Sequence, residues 1–515
     1  MQEIRKAYFD NMMLKEELQF MEYFPTVPQF LEHIRRKFGI HPAISNQTRT
    51  FTYQEMVLRV AQRVHFINSL NLRKQAHIAV YSENSTDAME LFLAIPAAGC
   101  VVLMLNNAMP VEALQGVKKR FDIDAIFAGN ETVSRLESMG ISAYDITSID
   151  EEEAEWADAE KEMPAAIFMT GGTVDTPKGA VLSHGAIMRG AFNGCYAPGP
   201  VISQRYMCIL PLSHVFGALR SLLSCLYTGS HVLACPDVKE AIMSIPIWKP
   251  TALVLVPGMV ELIMNLAALK GQSFLGDLRL IVSGAAPIEP QQIALCKKFG
   301  IVICHGYGMT EGANLTSGNC YMDDIPDAVG PIYPEQEAKI VDGELWIKGD
   351  NVMLGYYNEP ELNAEVFEDG WLKTGDLAKF VDYKGIPFLM ITGRIKNLII
   401  LSNGENVSPE ELEEIFYKKD CVKECLVQEM RVNDTPVLGI EIYPNLPDAS
   451  EEEIKQIMNA VTDEINLTLP TFKRISKIVI RKEPFKRSRA MKILRNQNEA
   501  YLQKGTDYGR TNSSN

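Results

Sequence analysis

Short, nearly continuous apolar segments that alternate with helical patterns are the feature that most constrains the fold of this chain. Strands that lack polar alternation are buried on both faces, which is typical of parallel sheets covered by helices. Helical patterns lie between several of these segments, for example over 85–99 and 257–271. The pattern predicts an α/β fold with mostly parallel sheets flanked by helices. The segments rich in β-branched residues are AHIAVYS (76–82), CVVLML (100–105), DAIFAG (124–129), ALVLVP (252–257), LRLIVSG (278–284) and IVICHG (301–306).

Beyond the last of these segments the pattern changes. The stretch 337–357 alternates like short antiparallel strands around a tight Asp342–Gly343 turn, which predicts a small β-barrel-like part. From about Gly393, short strand-like segments and helical patterns occur in mixed order, which indicates a separate, smaller region. We predict a large N-terminal domain over 1–392 and a small, mobile α+β C-terminal domain over 393–515.

Two helical patterns in the smaller region carry N-terminal signals. Each begins with a serine that is followed three positions later by a glutamate, which predicts a capping box. The pairs are Ser408 with Glu411, opening 408–419, and Ser450 with Glu453, opening 450–466.

The composition narrows the class of protein. With 515 residues, 47% hydrophobic and 22% charged, the chain is typical of globular proteins of two or more domains. Its net charge of −15 argues against nonspecific nucleic-acid binding as its main role. The longest apolar run, 91–105, is too short to span a membrane and contains Pro96. Ten cysteines without a metal-type pair predict a cytoplasmic protein with reduced thiols.

A loop rich in glycine and hydroxyl groups lies within the segment FMTGGTVDTPKGAVLSH, residues 168–184. Small residues let the backbone approach a ligand closely, and hydroxyls, amides and an ammonium group suit a phosphate. A Walker motif is excluded because Pro177, not glycine, precedes Lys178. The segment predicts either a phosphate-binding loop or a surface turn, followed by a helix that begins near Ser183.

Five further segments follow in order. They are LPLSHVFG (210–217), VSGAAP (282–287), GYGMTEG (306–312), WLKTGDLAKF (371–380), which offers Asp376 in a turn, and GRIKNLIILSNGENVSPEELEE (393–414). Ligands bind at the carboxyl ends of strands in parallel sheets, where several of these segments are expected. The ordered set resembles the adenylate-forming superfamily, which contains acyl-CoA synthetases, amino-acid-activating domains and luciferases. The resemblance extends from about Thr50 to Arg495.

The resemblance implies a binding site for ATP and Mg²⁺. Glu311 would hold the Mg²⁺ ion, whose preference for oxygen ligands suits a carboxylate, and Thr310 would contact the α-phosphate. Asp376 would accept hydrogen bonds from the ribose hydroxyls, with Arg394 supporting the same sugar. The remaining residues assigned to the nucleotide are Thr170, Gly172, Thr173 and Lys178 at the β- and γ-phosphates, Gly284, Ala285 and Ala286 along the adenine, and Gly306, Tyr307, Gly308 and Met309, with Tyr307 stacked on the ring.

Two motifs depart from the family pattern. In the phosphate loop, Gly171, Val174 and Asp175 replace two hydroxyls and a glycine, and the added carboxylate should weaken polyphosphate binding unless a cation compensates it. In the C-terminal motif, KRSRAMKILR at 486–495, alanine and methionine replace Ser-Gly. Lys492 nevertheless stands at the position of the family's adenylation lysine.

The resemblance also implies a reaction in two steps. A substrate carboxylate attacks the α-phosphorus of ATP, giving an acyl-AMP and pyrophosphate, and a thiol then displaces AMP. The small domain would swing between the steps about a hinge at Lys396–Asn397. His214 would border the acyl pocket, while Gly404 and Glu405 would lie on the CoA-facing side of the small domain.

Three functions are compatible with these motifs. Because LSHVFG has no aspartate to hold an amino acid's ammonium group, we predict a ligase that joins CoA to a fatty or other apolar carboxylic acid. The first alternative is an acyl-AMP ligase that loads the phosphopantetheine thiol of an acyl carrier protein. The second, suggested by the altered phosphate loop, is a catalytically weakened nucleotide-binding protein.

Overall fold

The computed structural model describes residues 21–170, 178–196, 203–314, 316–400, 406–432 and 435–487, together with Ile493 and Arg495. The chain divides into two compact units. The large unit comprises Met1–Lys339, Trp346–Lys373 and Asp382–Leu389, and the small unit comprises Ile340–Leu345, Thr374–Val381 and Met390–Asn515.

The described chain contains the following strands and helices, numbered in chain order. The strands are β1 (Pro42–Ser45), β2 (Thr50–Thr52), β3 (His77–Ser82), β4 (Val101–Asn106), β5 (Ile123–Ala128), β6 (Ala143–Asp145), β7 (Pro164–Thr170), β8 (Lys178–Ser183), β9 (Arg205–Cys208), β10 (His231–Ala234), β11 (Ala252–Leu255), β12 (Leu280–Gly284), β13 (Val302–Tyr307), β14 (Ser317–Asn319), β15 (Gln336–Val341), β16 (Glu344–Gly349), β17 (Gly355–Tyr356), β18 (Phe367–Glu368), β19 (Trp371–Tyr383), β20 (Ile386–Arg394), β21 (Ile399–Ile400), β22 (Asn406–Val407), β23 (Val422–Val432), β24 (Thr435–Pro444) and β25 (Lys477–Ile480). The α-helices are α1 (Val27–Phe38), α2 (Tyr53–Ser69), α3 (Thr86–Ala97), α4 (Leu114–Arg120), α5 (Asn130–Ser138), α6 (His184–Asn193), α7 (Ser224–Tyr227), α8 (Val238–Trp248), α9 (Pro257–Lys270), α10 (Pro290–Lys298), α11 (Pro360–Val366), α12 (Pro409–Tyr417) and α13 (Glu451–Thr468).

Mostly parallel sheets build the large unit, and they confirm the predicted α/β fold class. A seven-stranded sheet has the order β17-β8-β7-β4-β3-β5-β6, in which β8 and β17 are the antiparallel members. A second sheet has the order β11-β12-β13-β14, with β11, β12 and β13 parallel. Because parallel strands with helical crossovers are buried on both faces, β3, β4 and β12 are apolar along nearly their whole length, as the sequence predicted.

Local sequence signals explain where several helices begin. The Ser183 hydroxyl accepts a hydrogen bond from the Ala186 N–H, so α6 begins where the sequence predicted. The capping box of α13 is confirmed, since Ser450 and Glu453 cap each other's backbone N–H groups. The predicted box of α12 is wrong, because the Ser408 hydroxyl donates to the Thr392 carbonyl 2.9 Å away instead of capping the helix.

The small unit has its own core. Strands β23, β24 and β25 form a three-stranded sheet, and the core around it includes Phe416, Val427, Ile440 and Met458.

Strands β15, β16, β18, β19 and β20 form a five-stranded sheet in the region predicted to be barrel-like. The predicted turn at Asp376 is wrong, because β19 runs through this position and Gly375 absorbs the irregularity with a φ of 70°.

Two observations bear on the expected compartment. Every cysteine is free, and all except Cys320 and Cys421 are buried. Within the described ranges, none of the helices combines the length and the apolar character needed to cross a bilayer.

Candidate functional site

The two ends of the predicted phosphate loop lie side by side in the large unit. Thr170 ends β7 and Lys178 begins β8, and the two residues are partners in the antiparallel pairing of these strands. Gly179 lets the strands pack closely, because a Cβ added there would lie 2.5 Å from a ring carbon of Phe121. Gly172 and Thr173 lie outside the described residues, as do the three departures from the family pattern.

Tyr356 connects the phosphate loop to the predicted metal-binding carboxylate. Its hydroxyl donates a hydrogen bond of 2.7 Å to Oε1 of Glu311. The Lys178 ammonium lies 5.6 Å from the centre of the same ring, within the range of a cation–π contact. A cation, a phenol and a carboxylate are thus brought together from three distant segments. Tyr356 is distant in sequence from both Lys178 and Glu311, so the sequence analysis did not identify it as a site residue.

The backbone of Tyr356 is itself held on two sides. Strand β17 pairs with β8, which places Tyr356 opposite Ala180. On the other side, the Asn363 side-chain amide accepts from the Tyr356 N–H at 2.7 Å and donates to its carbonyl at 2.9 Å. Both contacts fix the base of the side chain, so the phenol is positioned before any ligand binds.

Thr310 and Glu311 lie in one tight turn that several main-chain bonds fix. The turn is a 3-10 helix over Thr310–Gly312. The Glu311 carbonyl accepts from the Met353 N–H at 2.8 Å, and the Gly312 carbonyl accepts from the Asn351 amide at 2.9 Å. A hydroxyl and a carboxylate next to each other provide only oxygen donors, which is the ligand chemistry that Mg²⁺ prefers. These residues therefore fit the ion that the family implies.

The carboxyl ends of β12 and β13 form a flat, small-residue platform. Gly284 and Gly306 are partners in the parallel pairing of the two strands. A Cβ at Gly284 would lie 3.2 Å from the Gly306 carbonyl and 3.2 Å from the Phe216 ring, so only glycine leaves this surface open. Ala285 continues from Gly284 with a φ of 72° and is exposed. The arrangement fits a planar ring such as adenine.

The other residues predicted around the platform lie close to it in sequence. Ala286 is partly buried beyond the end of β12, while Tyr307 ends β13 and its carbonyl accepts from the Thr316 N–H at 2.9 Å. Gly308 and Met309 connect this strand to the Thr310 turn. His214 is exposed on the segment just before a π-helix over Phe216–Leu223.

The predicted ribose residues lie together in the small unit. Asp376 is 3% exposed, and its carboxylate forms an ion pair with the Arg394 guanidinium. The Asp376 N–H is bonded to the Thr374 hydroxyl at 3.1 Å, which fixes the backbone at this position. The structure thus brings Asp376 and Arg394 into contact.

The segment that carries Lys492 leaves the described chain after Arg487 and returns at Ile493. Lys492 itself, Gly404 and Glu405 lie outside the described residues. Both flanks of the segment are bound to buried acids. Glu424 accepts from Arg487 at 2.8 Å, and Glu413 accepts from Arg495 at 2.6 Å. An isolated antiparallel bridge joins Arg487 to Ile493.

Glu413 lies where two elements of the small unit meet. Its Oε1 accepts from the Val427 N–H at 2.7 Å, while its Oε2 accepts from Arg495. Burial raises the pKa of this carboxyl to about 7, although the arginine and the N–H both favour the charged form. Removal of the carboxylate would leave Arg495 paired on α12 with Glu410 alone, at 3.4 Å.

Comparisons with known proteins match much of the chain. The family model described as AMP-binding enzyme matches residues 31–357, and the model described as AMP-binding enzyme C-terminal domain matches 396–507. The chain is 29% identical over 410 residues to 4-coumarate--CoA ligase-like 6 of Arabidopsis thaliana, covering 70% of this chain and 71% of that protein. It is 26% identical over 389 residues to 2-succinylbenzoate--CoA ligase of Geobacillus sp. (strain WCH70), covering 72% and 78%.

A solved structure extends the similarity to most of the chain. O-succinylbenzoate Coenzyme A synthetase from Bacillus subtilis, in complex with ATP and magnesium ion, matches with a TM-score of 0.75 and 22% identity. The match covers 91% of this chain and 98% of that one. At this identity the similarity establishes the fold.

Proposed function

Because the chain belongs to the AMP-binding enzyme family, we propose that it is an AMP-forming ligase that joins a carboxylic acid to the thiol of CoA. The resemblance to the adenylate-forming superfamily is thereby confirmed. The observation that supports the proposal most directly is the contact of Tyr356 with both Glu311 and Lys178 at the mouth of the phosphate loop. ATP, Mg²⁺ and CoA are the cofactors that such a ligase uses.

The chemistry requires two anions to approach each other. A carboxylate is a poor acyl donor, and its attack on the α-phosphorus of ATP is opposed by the charge of the triphosphate. Positive charge and fixed geometry lower this barrier. Lys178 and Lys492 would supply ammonium groups, Glu311 would hold the ion that neutralises phosphate charge when it is bound, and Thr310 would contact the α-phosphate. The Gly284–Gly306 platform would orient the nucleotide, and Asp376 with Arg394 would bind its ribose.

The second step uses the activated acyl group. The CoA thiol attacks the acyl carbon, the bond from that carbon to the phosphate oxygen breaks, and AMP leaves. We propose that the small unit turns about Lys396–Asn397 between the steps and that Gly404 and Glu405 serve thiol transfer. The domain boundary near residue 392 belongs to the same proposal, as does a cytoplasmic location.

We also propose which class of carboxylic acid the ligase uses. Phe216 and the apolar π-helix behind it favour an acid with an apolar carbon skeleton, such as a fatty or aromatic acid. The named relatives act on 2-succinylbenzoate or are called 4-coumarate ligase-like, so an aromatic skeleton is as well supported as an aliphatic one. An acyl carrier protein remains the alternative acceptor, because its phosphopantetheine thiol reacts in the same way.

The proposed function is tested by the release of pyrophosphate with a panel of carboxylic acids. We expect release that depends on both the acid and MgATP, followed by formation of an acyl-CoA when CoA is added. Transfer to a phosphopantetheinylated carrier protein but not to CoA would favour the alternative acceptor. No release with any acid, despite measurable ATP binding, would instead favour a weakened nucleotide-binding protein.

Replacing Tyr356 with phenylalanine tests the contact that links the phosphate loop to Glu311. The substitution removes one hydroxyl and keeps the ring beneath Lys178. Hydrogen bonds to metal-binding carboxylates tune metal affinity, so we expect the Mg²⁺ concentration for half-maximal activity to rise about 10-fold. Equilibrium binding of MgATP should weaken, whereas thioester formation from supplied acyl-AMP should not change. An unchanged Mg²⁺ dependence would show that the hydroxyl does not orient Glu311.

A further inference from the structure

A buried arginine lies in the helix that begins at Phe216. Arg220 is 2% exposed and belongs to the π-helix Phe216–Leu223. Three other arginines of the described chain are also buried, and each of them pairs with a carboxylate. The pairs are Arg63 with Glu90, Arg189 with Glu335 and Arg481 with Glu441. Among the described residues, no carboxylate forms such a pair with Arg220.

The neighbours of Arg220 are neutral. Its guanidinium interacts with the Tyr206 hydroxyl and the Cys225 thiol, and its Nη2 has no hydrogen-bond partner in the described part of the chain. Burial raises the pKa of Tyr206 to about 12 and that of Cys225 to about 12, so neither is an anion at neutral pH. A buried cation that lacks an anionic partner is costly to the fold. Its retention suggests that an anion from outside the chain completes the site.

The position of Arg220 indicates which ligand supplies that anion. Phe216 lies against Gly284 of the nucleotide platform, and Arg220 follows it by one helical turn. The stem of Arg220 passes over Gly194, where an added Cβ would lie 2.7 Å from Cδ of the arginine. A π-helix is rare and frequently marks a functional site. Arg220 is thus more deeply buried than Phe216 and lies one helical turn beyond the residue that contacts the platform.

We propose that Arg220 binds a second anionic group at the far end of the acyl substrate, so that the preferred acid is a dicarboxylic acid with an apolar skeleton. This inference rests on the proposed ligase function and narrows its substrate class. The planar guanidinium offers two parallel N–H donors to a carboxylate, and Nη2 is available for one of them. The reacting carboxylate would lie at the nucleotide, and the second carboxylate would pair with Arg220.

The test compares acids that differ only in the second carboxylate. Pyrophosphate release is measured with octanoate and suberate, and with 3-phenylpropanoate and 3-(4-carboxyphenyl)propanoate. We expect kcat/KM of the wild type to be about 10²-fold higher for the dicarboxylic member of at least one pair. Arg220→Met should remove this preference by lowering kcat/KM for the dicarboxylic acid alone. Arg205→Met is the matched control, since Arg205 is half-exposed, pairs with Asp277 and should leave the preference intact.

Thermal unfolding, measured with and without the acid, gives a readout that does not depend on activity. Replacing an unpaired buried cation by an apolar side chain of similar volume should keep or raise the Tm of Arg220→Met. The dicarboxylic acid should raise the Tm of the wild type and leave that of the variant unchanged. Equal kcat/KM for both members of every pair, or a preference that survives Arg220→Met, would overturn the inference while leaving the ligase function intact. Failure of the wild type with every acid would instead overturn the ligase function.

Discussion

Lys492→Ala should lower the rate of acyl-AMP formation by at least ~10²-fold, as expected for the loss of one donor that stabilises a transition state. Transfer of a supplied acyl-AMP to CoA should keep its rate, because the ammonium group is required only while the acid attacks the phosphorus. The two rates are measured separately, by pyrophosphate release and by thioester formation. The split between them distinguishes a role in one step from a general loss of structure.

The structure offers a close control for this substitution. Lys482 lies ten positions before Lys492, but its ammonium is exposed and pairs with Glu451 on α13. Lys482→Ala should therefore leave both half-reactions unchanged. Glu424 and Glu413 bind the flanks of the Lys492 segment, and neither substitution removes these ion pairs, so we expect both variants to keep the fold of the small unit. An equal fall in both half-reactions of Lys492→Ala would contradict the assignment of this lysine to adenylation.

Glu311→Gln should lower kcat/KM for MgATP by at least ~10²-fold. Glutamine keeps the size of the side chain and can still bond to Tyr356, but it removes the charge that suits a divalent cation. Activity should recover only in part when the Mg²⁺ concentration is raised. The effect is measured as initial rates over a series of Mg²⁺ concentrations at fixed ATP.

Glu361→Gln provides the control for a neutralised carboxylate near Tyr356. Glu361 is exposed on α11, the helix that carries Asn363, and is not part of the proposed site. The control should show the Mg²⁺ dependence of the wild type. If Glu311→Gln also did so, the cation would have to be held by other ligands, and the role inferred for Glu311 would be wrong.

Several regular elements of the large unit could be predicted closely from local sequence pattern. The strand predicted over 76–82 is His77–Ser82, and the one predicted over 278–284 is Leu280–Gly284. Their boundaries follow from the length of apolar runs between turn residues, which is a local property. Ser408 shows where such reasoning fails, because its hydroxyl bonds to Thr392, which is distant in sequence. Capping residues can be recognised in sequence, but their competing partners cannot.

The candidate site could be predicted only in part, because some of its contacts join residues that are distant in sequence. Glu311 stands in a motif that indicates a ligand, whereas Tyr356 acquires a role only by contact with Glu311, 45 positions away. Arg220 gave one weak signal, a single charge within the apolar run FGALRSLL. Its lack of a carboxylate partner among the described residues is a result of tertiary packing, which local sequence does not indicate. The roles of Asp376, Arg394 and the other nucleotide residues remain predictions.

Helix α6 contacts two parts of the proposed site, the end of the Thr310 turn and Arg220. A Cβ at Gly190 would lie 1.9 Å from the Ala313 carbonyl, directly after the Thr310 turn, and Gly194 at the end of the helix lies against Arg220. Gly190 and Gly194 are about one helical turn apart, so a shift that accommodates a new acid at Gly194 also displaces Gly190. Substitutions that share a backbone element are not additive. Changes in acid preference and in ATP use should therefore be epistatic, and the acid specificity of this chain would evolve together with its nucleotide turn.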